Sequence, residues 1–339
     1  MSPSQLPLFA DADGVDPAPV PDAVRRLGAA LPGRIHLGTS SWSFPGWTGL
    51  VYAAGNGKPA TEQMLARHGL AAYAKHPLFR TVSLDRTFYA PLSSDEFARY
   101  AAQVPAGFRF VVKAPAAITD PVVRKPGSGE AARDNPTFLD AAAAVAAFVQ
   151  PALTGLGGKA GPLVFQFPPL GWRLLADTQR LAARIAAFMT MLPRGPVYAV
   201  EVRDPELVTA SFAAVLADAG AVPCLAVHAR MPPAAEQASA LGVDAADSRG
   251  PLVVRWNLHA GRDYGGAKAD YFPFNRLVEE DPVSRRGLAR LARAAAAACR
   301  DVFITVNNKA EGSAPLSVVG LAEAICAAST PADANRSGD

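Results

Sequence analysis

Eight short runs of strand character, separated by longer segments of helical period, constrain this chain more than any other feature. The runs are Arg34–Ser40, Thr81–Asp85, Phe108–Lys113, Pro162–Phe167, Val197–Arg203, Val222–His228, Leu252–Asn257 and Val302–Asn307. Between them, apolar residues recur at helical spacing near Glu62–His76, Ser94–Gln103, Asn135–Val149, Ala176–Met191, Pro205–Ala219, Ser284–Arg300 and Leu316–Ala327. Only the connection Ala229–Gly250 lacks a clear long helix. Strands joined by helical crossovers pair in parallel, because a parallel neighbour cannot be reached through a tight hairpin. With no compositional break across residues 33–328, the expected fold is α/β, a single (β/α)8 barrel. Residues 1–32 and 329–339, rich in Pro, Asp and Ala without a period, are expected to be flexible tails. An open doubly wound sheet is the weaker alternative, since no GxGxxG follows the first run.

The 339 residues are 50% hydrophobic and 19% charged, enough to build a sizeable core and to exclude disorder or a collagen-like chain. Cys224, Cys299 and Cys326 are widely spaced and odd in number, which implies a reducing compartment and neither a disulfide framework nor a CxxC zinc or redox site. The N-terminus lacks the basic-then-apolar pattern of a secretory signal, and no spanning-length apolar stretch is free of Pro, Gly or charge. A cytoplasmic protein without a membrane partner is therefore expected. A net charge of +3 is too small to announce a nucleic-acid protein, yet it does not oppose a phosphate-rich partner.

In a barrel, alternate strand residues point inward, and those at the carboxyl ends face the mouth where barrel chemistry takes place. The seventh run separates cleanly by parity: Leu252, Val254 and Trp256 on one face, Val253, Arg255, Asn257 and His259 on the other. Glu201 and Arg203 share the face of Ala199, and Ser83, Asp85 and Thr87 share another. Taken together, Asp85, Lys113, Gln166, Glu201, Arg203, Arg255, Asn257, His259, Asn307 and Asn308 are expected at one polar rim. Each charged pair has a plain alternative reading as an ion pair that closes the core; their concentration at one end favours a site.

The segment Leu37-Gly38-Thr39-Ser40-Ser41-Trp42-Ser43-Phe44, followed by Trp47 and Tyr52, resembles the opening motif of the DUF72 (YecE-like) family. In order come Thr87-Phe88-Tyr89 with Pro91, Phe108-Arg109-Phe110 through Lys113, Ile118-Thr119, Gly161-Pro162-Leu163 with Gln166-Phe167-Pro168-Pro169, Glu201 with Arg203, Arg255 with His259, and Asn307-Asn308. The resemblance covers about residues 34–327 and implies a TIM-type barrel without implying a reaction. Ser83 and Asp85 stand where that family usually has Glu and Asn, and Asp120 and Asp204 stand where it has His.

Among the rim residues, Glu201 and His259 are the expected proton-transfer pair, with Lys113 and Asp85 beside them as further catalytic candidates. Arg203 and Arg255 suit an anionic group, as does Lys113. Trp42 and Tyr89, in loops after the first two strands, are candidates for stacking on a sugar or base. Gln166, Asn257, Asn307 and Asn308 complete the substrate-binding set. No cofactor is expected. A divalent metal held by Asp85, Glu201, His228 and His259 is a minor alternative, because these four show no paired ligand spacing and lie among cations.

Outside the barrel, Gln5-Leu6-Pro7-Leu8-Phe9 resembles the pentapeptide by which bacterial replication and repair proteins attach to the DNA polymerase sliding clamp. Gln5 would bond at a pocket rim while Leu6, Leu8 and Phe9 fill apolar pockets. The alternative is that these side chains dock on the chain's own barrel. Three functions follow: a clamp-tethered hydrolase or lyase of DNA repair or replication acting on a phosphate- or sugar-containing substrate, nucleic acid included; a non-catalytic adaptor using the same mouth for an anionic ligand; and a carbohydrate enzyme whose tail motif is incidental.

Overall fold

The computed structural model describes residues 14–54, 60–125 and 130–327. Its strands are β1 (Ile35–Thr39), β2 (Phe79–Leu84), β3 (Arg109–Lys113), β4 (Val122–Arg124), β5 (Ala131–Asp134), β6 (Ala160–Gln166), β7 (Tyr198–Glu201), β8 (Ala221–Val227), β9 (Leu252–Trp256) and β10 (Val302–Val306). Eight of them close a parallel barrel in the order β1-β10-β9-β8-β7-β6-β3-β2, whereas β4 and β5 form a separate antiparallel hairpin. Every expected run is a barrel strand, displaced by no more than two residues at either end.

Closure depends on a glycine. The β1–β2 register shifts between Leu37 and Gly38, and a Cβ at Gly38 would collide with the Thr81 carbonyl oxygen of β2. Only a residue without a side chain lets the two backbones approach this closely. Outward strand residues such as Phe165, Trp256 and Ile304 pack under the helices in the main core. Inside, Val111, Val164, Ala199, Cys224, Val253 and Phe303 form a small apolar plug. The plug fills the lower barrel, so the next inward residues toward the carboxyl ends form the floor of the mouth.

Helix boundaries moved where side chains compete with backbone. The helix expected over Asn135–Val149 begins only at Ala141, because Asn135 donates its amide to the carbonyls of Ala117 (2.8 Å) and Asp120 (2.6 Å) and Asp140 caps Ala143 N at 3.0 Å. It then continues through a π-turn to Leu156. Gly69 separates Glu62–His68 from Leu70–Tyr73, and Thr209 caps a helix at Ala210–Asp218 rather than at Pro205. The connection Ala229–Gly250 holds the short helix Ala234–Ala240.

The reading of residues 1–32 as a tail is corrected over the described part, which carries the helix Asp22–Ala30. That helix is fixed from outside its own sequence: Arg80 of β2 donates to the carbonyls of Gly28 (2.9 Å), Leu31 (3.1 Å) and Pro32 (2.7 Å). Residues 5–9, which carry the pentapeptide, lie outside the described residues. Among the described residues, the helical run Ala141–Lys159 is long and apolar enough to cross a membrane by length and composition. In the barrel Phe148, Val149, Ala152 and Leu156 are buried, and Gly155 abuts Ser94 and Phe97 of the helix Ser94–Ala102.

Candidate functional site

One pleat above the apolar plug, the barrel interior turns polar. Gln166 pairs in register with Glu201, and Arg255 pairs with Ala226 on one side and Thr305 on the other. The period-2 alternation of each strand puts these residues on the inward face, over Val164, Ala199, Cys224, Val253 and Phe303. Glu201 has no solvent exposure. Its carboxylate receives Arg203 Nη2, Arg255 Nη1 at 2.8 Å and Asn257 Nδ2 at 3.4 Å. Arg255 spans the floor, since its Nη2 also reaches Asp85 Oδ2 at 2.6 Å. Asp85 Oδ1 accepts from Ser83 at 2.6 Å. Ser83 and Asp85 therefore act together, the hydroxyl fixing the carboxylate that receives Arg255.

These contacts decide the protonation states. Burial alone would raise the Glu201 carboxyl, but Arg203, Arg255 and Lys113 outweigh it and hold the carboxyl below its ordinary value. Glu201 is thus a fixed anion. Burial alone would lower Arg255, whereas Asp85 and Glu201 raise it above its ordinary value. Arg203 falls below its ordinary value, because burial and the adjacent Arg255 together exceed the attraction of Glu201. Arg203 Nη1 and Arg255 Nε are buried without a hydrogen-bond acceptor.

Lys113 behaves differently. Its ammonium lies 3.6 Å from the centroid of the Phe88 ring and forms no ion pair or hydrogen bond among the described residues. Burial, then the nearby Arg255, lower it to about 8, only partly opposed by Asp85 and Glu201. Thr87 Oγ1 ties the exits of β2 and β3 together, its single proton shared between Leu84 O (2.6 Å) and Lys113 O (2.5 Å). The Lys113 backbone and its aromatic support are therefore held by the same short turn.

His228 stands at the end of β8. Burial first and Arg203 second lower it to about 4, and its Nδ1 accepts from Arg230 N at 3.2 Å. It is a neutral imidazole with the proton on Nε2.

Other expected residues sit elsewhere. His259 lies beyond the end of β9; its Nδ1 donates to Ala260 O at 2.7 Å and lies 3.9 Å from Glu279. Among the described residues no hydrogen bond or ion pair joins it to Glu201, whose carboxylate is taken up by Arg203, Arg255 and Asn257. Trp42 is a core residue, its Nε1 donating to Leu65 O at 3.0 Å and its ring edge-on to Tyr100. Asn308 accepts from Trp47 Nε1 (3.2 Å) and from Ala314 N (2.8 Å), which fixes the start of the last helix. Asn307 stays at the rim, donating to Ser40 Oγ at 2.7 Å. Tyr89 is 86% exposed. Together with Phe88, Pro168 and Val122 it lines a cleft of about 640 Å³ beside the mouth.

Asp120 and Asp204 serve the loops. Asp120 pairs with Arg124 at 2.6 Å and accepts from Val122 N, bracing the β4–β5 hairpin. Asp204 accepts from Leu170 N at 2.9 Å. Among the described residues, no group of three or more His, Cys, Asp or Glu is placed to hold a metal ion.

Sequence reasoning missed Lys309. It follows Asn307-Asn308 in the short 3-10 turn Asn308–Ala310, and its segment carries no pattern that singles it out. In the fold it is buried, with its ammonium 4.2 Å from the centroid of the Tyr264 ring. The only available signal was the pair of glycines after Tyr264, which allows a segment to fold over the mouth.

The geometry defines a (β/α)8 barrel whose mouth holds Lys113, Arg203, Arg255 and Lys309 against the carboxylates Asp85 and Glu201. A family model described as "Protein of unknown function DUF72" matches residues 36–337, and the chain belongs to that family. It is similar in fold to a crystal structure, at 3.10 Å, of a DUF72 family protein from Enterococcus faecalis V583, with a TM-score of 0.58 and 15% identity over 86% of this chain and 95% of that one. A DUF72 family protein from Thermotoga maritima MSB8 gives a TM-score of 0.54 at 15% identity over 85% of this chain and 97% of that one. No curated protein matches the chain significantly.

Proposed function

We propose that the barrel mouth binds an anionic ligand bearing phosphate or carboxylate, and that Lys113 is the group that exchanges a proton with it. One observation carries the reading: the cations of the mouth outnumber its carboxylates by two, and Arg203 Nη1 and Arg255 Nε are buried with no acceptor. A buried donor left unpaired costs about 1–3 kcal/mol, and an anion entering the mouth supplies the missing acceptor. Lys113, lowered to about 8, changes charge close to neutral pH, as a general acid or base must. Glu201 in this reading is the fixed counter-charge that aims Arg203 and Arg255. The cleft beside Phe88 and Tyr89 would take the uncharged part of the ligand, a sugar or a base.

The reaction class that fits is hydrolysis or lysis of a phosphate- or sugar-containing substrate, nucleic-acid fragments among them, in a cytoplasmic protein. Tethering to the DNA sliding clamp is part of the proposal and is supported by the sequence Gln5-Leu6-Pro7-Leu8-Phe9 alone. A fluorescent peptide of residues 1–15 should bind the clamp and be displaced by a known clamp-binding peptide; no displacement removes the tether. For the mouth, wild type and Lys113→Met are compared on a panel of phosphosugars and DNA structures. Turnover by wild type that is lost in Lys113→Met supports catalysis. Binding by both proteins without turnover by either favours the adaptor, and absence of anion binding refutes the site.

A further inference from the structure

Lys113 has a counterpart across the mouth. β3, which ends in Lys113, and β10, which precedes Lys309, stand three strands apart in the closed order, with β2 and β1 between them. Each lysine rests its ammonium on an aromatic ring, Phe88 at 3.6 Å and Tyr264 at 4.2 Å. Lys309 is 7% exposed, and its ammonium forms no hydrogen bond or ion pair among the described residues.

Asp85, at the end of β2 between them, influences both, yet its carboxylate is committed to Arg255 at 2.6 Å and to Ser83. Burial, followed by the nearby Lys268, lowers Lys309 to about 8. Its backbone is also built in. Lys309 N donates to Asn307 Oδ1 at 3.1 Å, and its carbonyl accepts from His259 N at 2.9 Å. The expected site residues Asn307 and His259 therefore hold this lysine. Tyr264 stands at the N-terminal end of the helix Tyr264–Tyr271, whose cap is Asp263, so the covering ring is anchored as well.

A desolvated, unpaired cation is costly unless an anion joins it. Lys309 is buried and Lys113 half-buried, and two such cations on different walls call for two anionic groups. We infer that Lys309 is a second anion-binding group of the mouth and that the site takes a ligand carrying two linked phosphate groups, with Lys113 receiving one and Lys309 the other. This rests on the anion-binding reading above and adds to it the valence of the ligand. Linked phosphates occur both in a diphosphate and in successive nucleotides, and the two sources share this chemistry.

The test is calorimetric titration of the full chain with inorganic phosphate, pyrophosphate and the 5′-phosphorylated dinucleotide of thymidine, in wild type, Lys113→Met, Lys309→Met and Lys309→Arg. Wild type should bind pyrophosphate or the dinucleotide at least tenfold more tightly than phosphate, and whichever is preferred identifies the source. Lys309→Met should abolish that preference while leaving phosphate binding within about threefold, and Lys309→Arg should restore most of it. Thermal melts of each variant establish that it is folded, and the arginine rescue separates loss of charge from loss of structure. A preference unchanged in Lys309→Met overturns the inference, as does phosphate binding that depends on Lys113 with no gain for either linked ligand. Absence of binding by all three ligands overturns the anion-binding reading and this inference together.

Discussion

Replacing Glu201 with Gln tests whether this carboxylate is the counter-charge of the floor or a proton-transfer group. The substitution keeps side-chain volume and removes one charge from a position with no solvent access. Arg203 Nη2 loses its carboxylate, and Arg255 Nη1 loses the partner now at 2.8 Å, while Arg255 retains Asp85 at 2.6 Å. Arg203, whose Nη1 already lacks an acceptor, is left uncompensated. Removing one member of a buried pair costs about 3–5 kcal/mol, a large part of the roughly 5–15 kcal/mol that holds a folded domain. With a urea m-value of about 3 kcal/mol/M, the midpoint should fall by about 1 M or more at unchanged slope, measured by circular dichroism and tryptophan fluorescence. The double variant Glu201→Gln/Arg203→Met should recover about 1 kcal/mol or more, because it removes the cation that lost its partner. A loss below about 1 kcal/mol for Glu201→Gln, or no recovery in the double variant, would falsify the counter-charge role.

Lys113 and Lys309 set a pH dependence. Each is held near 8 in the fold against an ordinary 10.5, so between those values the unfolded chain keeps protons that the native chain has released. Stability should therefore rise as pH goes from about 8 toward 10.5, and Lys113→Met should remove about half of that rise in urea midpoints taken across the range. Anion affinity should move oppositely, declining above about pH 8 as the lysines lose charge; titrations showing constant affinity from pH 7 to 10 would argue against them. Asn308→Ala leaves Trp47 Nε1 and Ala314 N without their shared acceptor, and should cost about 2–3 kcal/mol while leaving phosphate affinity of the folded protein unchanged. Gly38→Ala forces a Cβ onto the Thr81 carbonyl. It should destabilise by more than about 4 kcal/mol, seen as loss of cooperative melting; a normal melt would contradict the tight β1–β2 approach.

Local periodicity determined the barrel. Strand alternation and helical spacing are properties of the backbone that each segment carries alone, so all eight strands were legible, and parity alone placed Asp85, Lys113, Gln166, Glu201, Arg203 and Arg255 on the inward face. The same rule does not reach as far as His259, which lies three residues past the end of β9 at Trp256 and bonds Ala260 O through its Nδ1. It was silent on the helix Asp22–Ala30, which is held by Arg80 from another segment. Trp42 and Asn308 have side chains suited to ligand contact, and the fold uses them for packing and for capping. Lys309 shows the converse: nothing in its own segment marks it, and in the fold it is buried with its ammonium against the ring of Tyr264, from a helix distant in sequence.

What the tertiary structure decided was which charges are paired and which are desolvated. Arg255 and Asp85 meet across 170 positions of sequence. The energy of a buried charge depends on every neighbour within a few ångströms and on the exclusion of water, and neither is a property of the segment that carries the charge.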